Sequence, residues 1–401
     1  MRALLDFLKR IRDSFHREPH THRPRTRPLR MIDNWFLHVH PNRVSLTSLR
    51  PSTTLGLGLI TVSLFLVLVW TGLLLMFYYV PAVPGAYERM QDLVFVVPFG
   101  RLLRDMHRIA AEGMILCVLL HLLRVFFTGS YKPPREFNWL VGLGLLTLSL
   151  ALSFTGYLLP WDQLSYWAIT VSAGILDYYA MIAGPVRSLL LGGQSVGQEA
   201  LLRFYVLHVF VLPALATGLI GYHVWRVRKD GGLAAQAGTE RSMTAPSIPP
   251  ERPSPQAEET TTSYPLVLWI EISVLLAVTL GVMALALAFP GQLGPLANMD
   301  HPPNPAKAPW YFAGLQELVS YSAVWGGVVA PLSLLVAGLL LPYVDRNPRG
   351  IGVWFSRHRR GIVWLGAAAT LSWIMLTLVG VYLRGPNWRF FWPGQPWLIP
   401  P

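Results

Sequence analysis

The chain has 401 residues, 53% of them apolar and 13% charged, with a formal net charge of +12. A soluble domain carries about twice that charged fraction, so the composition excludes an ordinary soluble globular protein. The single cysteine, Cys117, excludes a disulfide framework and any cysteine-based metal site.

Residues 1–54 are basic and too polar for a signal peptide, and are read as a cytoplasmic segment. Residues 55–80 then run without a charge. About 20 such residues cross a bilayer. Residues 109–127, 139–161, 204–225, 264–289, 323–343 and 361–383 have comparable length, which makes about seven spans and an all-α membrane protein. Two of these spans carry ionisable groups: Glu112, His121 and Arg124 in one, Glu271 in the other. Residues 231–263 are rich in Pro, Ser, Thr and Ala, and are expected to be a disordered cytoplasmic linker. The linker separates a four-helix module, 55–230, from a three-helix module, 264–401.

Charge alternates between the connecting segments. Arg23, Arg25, Arg27 and Arg30 precede the first span. Lys132 and Arg135, then Arg226, Arg228 and Lys229, then Arg346, Arg349, Arg357, Arg359 and Arg360 fall on the same side. The opposite side is poor in basic residues: Lys307 is the only Lys or Arg in 291–322. This is the positive-inside pattern of a multi-pass protein with a cytoplasmic N-terminus, expected in a bacterial inner membrane. It explains the net charge through membrane lipid, without nucleic acid. Two loops on the outer side, 158–202 and 290–322, are long enough to imply function. Their stretches 161–173 and 310–321 are expected to lie as short surface helices.

Four histidines sit inside apolar runs: His107 and His121 on the second span, His208 and His223 on the fourth. Ionisable groups in a bilayer are costly and usually functional. Fourteen residues return to within about 40° of the same helix face, and fifteen overshoot by about 60°. Either spacing separates two histidines by ~21–22 Å along the axis. Both spans run from outside to inside, so His107 pairs with His208 near the outer face and His121 with His223 near the inner face. Two facing histidines per level form a bis-imidazole haem site in a helix bundle. Zinc fits less well, because it wants three or four ligands. Gly58 and Gly72 on the first span and Gly142 and Gly156 on the third are also fourteen apart. They would let a flat macrocycle approach the backbone, though small residues also serve plain helix contacts. Arg104, Arg108 and Arg124 flank the histidines and are candidates for pairing with haem propionates or for anchoring at the membrane edge. Two such haems have no open iron position, so their task is electron transfer between the faces. A di-haem anchor relaying electrons for a dehydrogenase or hydrogenase has the same four histidines, and a transporter with buried histidines is a third reading.

Six stretches resemble cytochrome b of the quinol-oxidising bc-type complexes, nearest the b6 type: RDMHR (104–108), LHLLRVFFTG (120–129), YKPPREFNW (131–139), TGYLLPWDQLSYWA (155–168), SVGQEALLRFYVLHVFVLP (195–213) and RKDGG (228–232). The three-helix module resembles the b6 partner subunit IV, here fused to it. The resemblance covers residues 30–385. It implies two b-type haems and a Q-cycle: quinol oxidised at the outer face, electrons passed to a Rieske iron–sulfur protein and a c-type cytochrome, quinone reduced at the inner face, and protons translocated. It also implies a homodimer within a larger complex. Tyr157, Pro160, Trp161 and Trp167 are carried over as outer quinol-site residues, with Pro309, Trp310 and Tyr311 from the second long loop. In the family signature Pro-Glu-Trp-Tyr the glutamate is the proton acceptor. Here the stretch is Ala308-Pro309-Trp310-Tyr311, so Glu317 is the expected replacement. The altered element points to a low-potential quinone such as menaquinone. Arg228, Asp230 and Glu271 are expected at the inner quinone. The b6 type attaches a third haem through a cysteine where this chain has Gly56, so no covalent third haem is expected.

Overall fold

The computed structural model describes residues 2–16, 43–176, 183–193, 195–230, 260–262, 266–345 and 347–395. Most of the expected linker, Arg23, Arg25, Arg27, Arg30 and Arg346 lie outside the described residues.

The helices, in chain order, are α1 (Arg2–His16), α2 (Leu57–Met76), α3 (Gly85–Phe95), α4 (Gly100–Phe127), α5 (Glu136–Leu158), α6 (Gln163–Leu176), α7 (Ala183–Leu191), α8 (Gln198–Lys229), α9 (Leu266–Ala288), α10 (Trp310–Tyr321), α11 (Trp325–Val344) and α12 (Arg357–Leu383). Among the described residues seven of them, α2, α4, α5, α8, α9, α11 and α12, are long and apolar enough to cross a bilayer. They follow the seven apolar runs, because apolar side chains tolerate lipid and a helix satisfies its own backbone there. Helices α6, α7 and α10 lie in the two long loops. Thr260–Thr262, within the expected linker, pairs as strand β2 antiparallel to β1 (Arg43–Ser45). Three successive β-branched threonines favour a strand over a linker coil at this point.

Pairwise packing sets the frame. Helix α2 packs on α4, α5 on α8, and α9 lies against both α2 and α4. Helix α10 rests on α12 and on the start of α11. Two spans contain a widened π-turn just before a proline, at Leu207–Val211 ahead of Pro213 and at Trp325–Val329 ahead of Pro331. Proline lacks an N–H and its ring crowds the carbonyl four residues back; widening one turn accommodates both.

Core side chains form three groups. One, with Leu64, Phe65, Ala110, Met114 and Val282, fills the middle of the bundle, and Cys117 packs against it as a small apolar residue. A second, with Tyr79, Leu158, Trp161, Ile169 and Phe204, lies under the long loops. The third, Tyr131, Trp139 and Leu143, lies at the opposite end. There a buried charged clasp joins residues 126–132 to residues 345–359. Asp345 accepts from Tyr131 at 2.6 Å and Arg359 Nε at 3.0 Å, and pairs with Lys132 at 3.1 Å. Arg359 also donates to Tyr131 Oη at 2.6 Å and to the Phe126 carbonyl at 3.1 Å. Nearby, Trp139 Nε1 donates to the Gly338 carbonyl at 2.7 Å.

Candidate functional site

His107 and His208 face each other with ring centres 6.1 Å apart, inclined at 73°. His121 and His223 repeat this at 6.4 Å and 76°. Helix α4 holds its pair fourteen apart in unbroken α geometry, whereas α8 holds His208 and His223 fifteen apart. The π-turn at Leu207–Val211 absorbs the extra residue. A single π-turn is one residue inserted into an α-helix, so fifteen positions regain the phase of fourteen. The proline behind it, Pro213, is the sequence signal that goes with this.

Each predicted glycine meets the edge of one imidazole. A Cβ on Gly72 would lie 3.3 Å from His107 Cε1, on Gly156 2.5 Å from His208 Cε1, on Gly58 3.7 Å from His121 Cε1, and on Gly142 3.6 Å from His223 Cε1. The two helices without histidines thus cradle the rings of the two that carry them. Threonines orient one level. Thr71 gives its hydroxyl proton to the Val67 carbonyl at 2.7 Å, so its oxygen accepts from His107 Nδ1 at 2.8 Å. His208 Nδ1 donates to the Leu152 carbonyl at 3.0 Å. Both rings therefore carry the proton on Nδ1 and keep Nε2 bare, the form that ligates a metal. Thr71 and Thr155 each precede a cradle glycine, and this recurring Thr-Gly pair is a signal that spacing alone passed over.

This geometry fits haem. An iron between two imidazoles, each bonded at about 2 Å, places the ring centres roughly 6 Å apart. No group of three or more His, Cys, Asp or Glu side chains capable of holding a bare ion occurs among the described residues. Arg104 donates to the Gly291 carbonyl at 3.1 Å, and Arg108 to the Phe289 carbonyl at 2.7 Å and to Glu112 at 3.0 Å. Both therefore hold the chain leaving α9. Arg124 is buried in α4 near His121.

The two long loops meet above the His107/His208 level. Gln163 N donates to the Pro295 carbonyl at 2.9 Å, and its side chain bonds Asn298 N and the His301 carbonyl, both at 2.5 Å. Asp162 accepts from Ser165 N at 2.9 Å, capping α6, and from Gly294 N at 3.2 Å. Trp167 donates to the Asn298 carbonyl at 2.9 Å, and Trp161 is buried against Tyr166. Trp310, Tyr311 and Phe312 form a run of edge-to-face rings that reaches Phe154 on α5. Tyr157 lies within electrostatic reach of Asp162 and Tyr311. Burial pushes the Tyr311 hydroxyl up to about 12, eased by a hydrogen bond to Ser153 and reinforced by Glu112. Tyr311 is thus a neutral donor at physiological pH. An apolar cavity of about 120 Å³ is lined by Phe154, Ile169, Ser172 and Phe204 among others.

The expected proton acceptor, Glu317, is differently placed. It is fully buried and bound by Arg384, Tyr321 and Trp388. Burial alone would raise its carboxyl, but these hydrogen bonds, Arg384 foremost, hold it below the usual carboxylate value. A general base wants a pKa near the working pH, and this environment runs against Glu317 in that role. At the opposite end Asp230 pairs with Arg226 at 3.2 Å, a partner the sequence reading missed although it lies one turn back. Burial raises the Asp230 carboxyl to about 6 against the pull of Arg226 and Arg135. Arg228 and Glu271 are half-buried on α8 and α9.

A family model described as cytochrome b(N-terminal)/b6/petB matches residues 112–297. The chain is also similar to a chain of a solved structure titled "Hyperthermophilic respiratory Complex III", with TM-score 0.70 and 25% identity, covering 86% of this chain and 87% of that one. The match over residues 112–297 and the Complex III likeness over most of the chain are consistent with a cytochrome b subunit of a bc-type complex.

Proposed function

We propose that this chain oxidises quinol at its outer face and reduces quinone at its inner face, within a proton-translocating quinol:cytochrome c oxidoreductase. The observation that carries this reading is the pair of equivalent histidine levels, with the two long loops stitched together above one of them. His107 and His208 would hold one b-type haem and His121 and His223 the other. When bound, these haems supply one-electron carriers at two depths of the bilayer.

The chain's own residues do the rest. Thr71 and the Leu152 carbonyl fix the tautomer of the outer histidines. Trp161, Trp167, Pro160 and Pro309 wall the outer quinol site, with Tyr157 and Trp310 at its edge. Tyr311, neutral and buried, donates a hydrogen bond that orients the quinol oxygen. Asp230 takes up and releases the proton needed at the inner quinone, with Arg226 and Arg228 supplying positive charge and Glu271 a second carboxylate. The positive charge of residues 226–229 and 357–360 supports a cytoplasmic side for this end and for the N-terminus, in a bacterial inner membrane.

A Rieske protein and a c-type cytochrome would accept the outer electron, and a second copy of the chain would complete the assembly. A low-potential quinone such as menaquinone suits the altered Pro309-Trp310 element. Purification with native partners, followed by assay of quinol-dependent cytochrome c reduction, tests the reading. A Rieske protein and inhibitor-sensitive turnover are expected. A chain that copurifies instead with a dehydrogenase and oxidises no quinol would overturn it.

A further inference from the structure

We propose that Glu317 and Arg384 are a positioning pair for the outer quinol site, the carboxylate pinning α10 to the end of α12 instead of receiving the quinol's proton. The inference rests on the proposed binding of quinol beneath the long loops.

The coordination of Glu317 carries the argument. Oε1 accepts from Arg384 Nη2 at 2.5 Å, from Arg384 Nε at 3.2 Å and from Tyr321 Oη at 2.8 Å. Oε2 accepts from Arg384 Nε at 3.1 Å and from Trp388 Nε1 at 3.0 Å. A carboxylate has about four lone-pair sites, and these donors fill them. No site is left for a quinol hydroxyl. The pair is bidentate and fully enclosed on the Glu317 side, the arrangement that fixes orientation most firmly.

What it fixes is the segment that bears the site. Helix α10 starts at Trp310 and Tyr311, and Glu317 lies two turns further on. The end of α12 and the segment after it grip the same stretch at other points. Asn304 and Asn387 exchange hydrogen bonds at 2.8 and 2.6 Å, and Lys307 donates to the Val381 carbonyl at 2.6 Å. The helices touch closely: a Cβ on Gly380 would lie 2.9 Å from the Ala313 carbonyl oxygen, and one on Gly314 2.9 Å from Thr377 Oγ1. Residues 380–388, remote in sequence from any quinone motif, thus become part of the outer site. Loss of the pair frees α10 to shift, and Tyr311 moves with it.

The test uses Glu317→Gln, Arg384→Lys and the double variant Glu317→Gln/Arg384→Met in the assembled complex. The double variant leaves no lone buried charge, so it reads the pair even if a single variant fails to assemble. Turnover is measured against quinol concentration and pH, with the b-haem spectrum as control. The expected result is an intact spectrum, a KM for quinol raised roughly tenfold with kcat changed far less, and an acidic limb of the pH profile at its wild-type position. Arg384→Lys should fall between wild type and Glu317→Gln, and the double variant should be no worse than Glu317→Gln. Loss of the acidic limb and of kcat at unchanged KM in Glu317→Gln would make Glu317 the proton acceptor and overturn the inference. Wild-type kinetics in all three variants would overturn it too, while leaving the quinol reading standing. A wild-type complex that oxidises no quinol sinks the functional reading, and this pair with it.

Discussion

Gly156 lies so close to His208 that an added Cβ would sit 2.5 Å from Cε1 and 2.9 Å from Nδ1 of the ring. The imidazole cannot yield freely, because its Nδ1 is tied to the Leu152 carbonyl. Gly156→Ala should therefore displace His208 and cost the site its metal-binding geometry. Alanine's better helix propensity, about 1 kcal/mol over glycine, does not offset overpacking of about 1–3 kcal/mol. The same change at Gly58 or Gly142, where the clearance is 3.7 and 3.6 Å, should be tolerated. Gly72, at 3.3 Å, should be intermediate. Haem content per protein, measured for the four alanine variants, checks the ranking; equal losses at all four would contradict it.

Asp345 is the acidic member of the buried clasp, facing Lys132 and Arg359. Asp345→Ala leaves two cations buried and uncompensated, which costs about 3–5 kcal/mol. Asp345→Asn, keeping one acceptor oxygen, should cost less. Thermal unfolding of the detergent-solubilised protein reads both. The acid side has a sign as well. Burial would raise the Asp345 carboxyl, but hydrogen bonds from Tyr131, Arg359 and Lys132 hold it below its usual value. Its contribution is present above the ordinary aspartate pKa and lost as pH falls through the depressed one. Stability should thus hold down to about pH 4 and drop below it.

Asp230 has the opposite sign. Its carboxyl is raised to about 6, chiefly by burial. The stabilisation of its protonated form is present below the unfolded value and lost as pH rises through about 6. At the proposed inner quinone this makes Asp230 a group that exchanges protons near neutrality. Reoxidation of the reduced b haems by quinone should show an apparent pKa near 6. Asp230→Asn should remove that dependence and slow the step about 10²-fold or more, the usual worth of a positioned proton donor. A pH profile unchanged in Asp230→Asn would take Asp230 out of the reaction.

Much of the architecture was legible in the sequence, because a bilayer leaves so few options for an apolar chain. Seven apolar runs match seven helices, and the histidines and glycines singled out by spacing lie against one another in the structure. Three features were hidden. The π-turn within the fifteen-residue interval of His208 and His223 has no periodicity signature of its own; only Pro213 hints at it. The tautomer-fixing Thr71 was passed over because hydroxyls in helices usually bond their own backbone, as Thr71 also does. Glu317 was assigned a proton because its sequence neighbourhood showed a missing carboxylate. Its partner Arg384 lies 67 residues away, and only folding brings them together.

The central claim is that two haems stand between two histidine pairs. Haem counting per chain in the purified complex, with His208→Ala and His223→Ala beside wild type, tests it most directly. The account predicts two b-type haems in wild type and one in each variant, the survivor differing between them in midpoint potential. A wild-type chain with a single haem, or an unchanged count in His208→Ala, would contradict it.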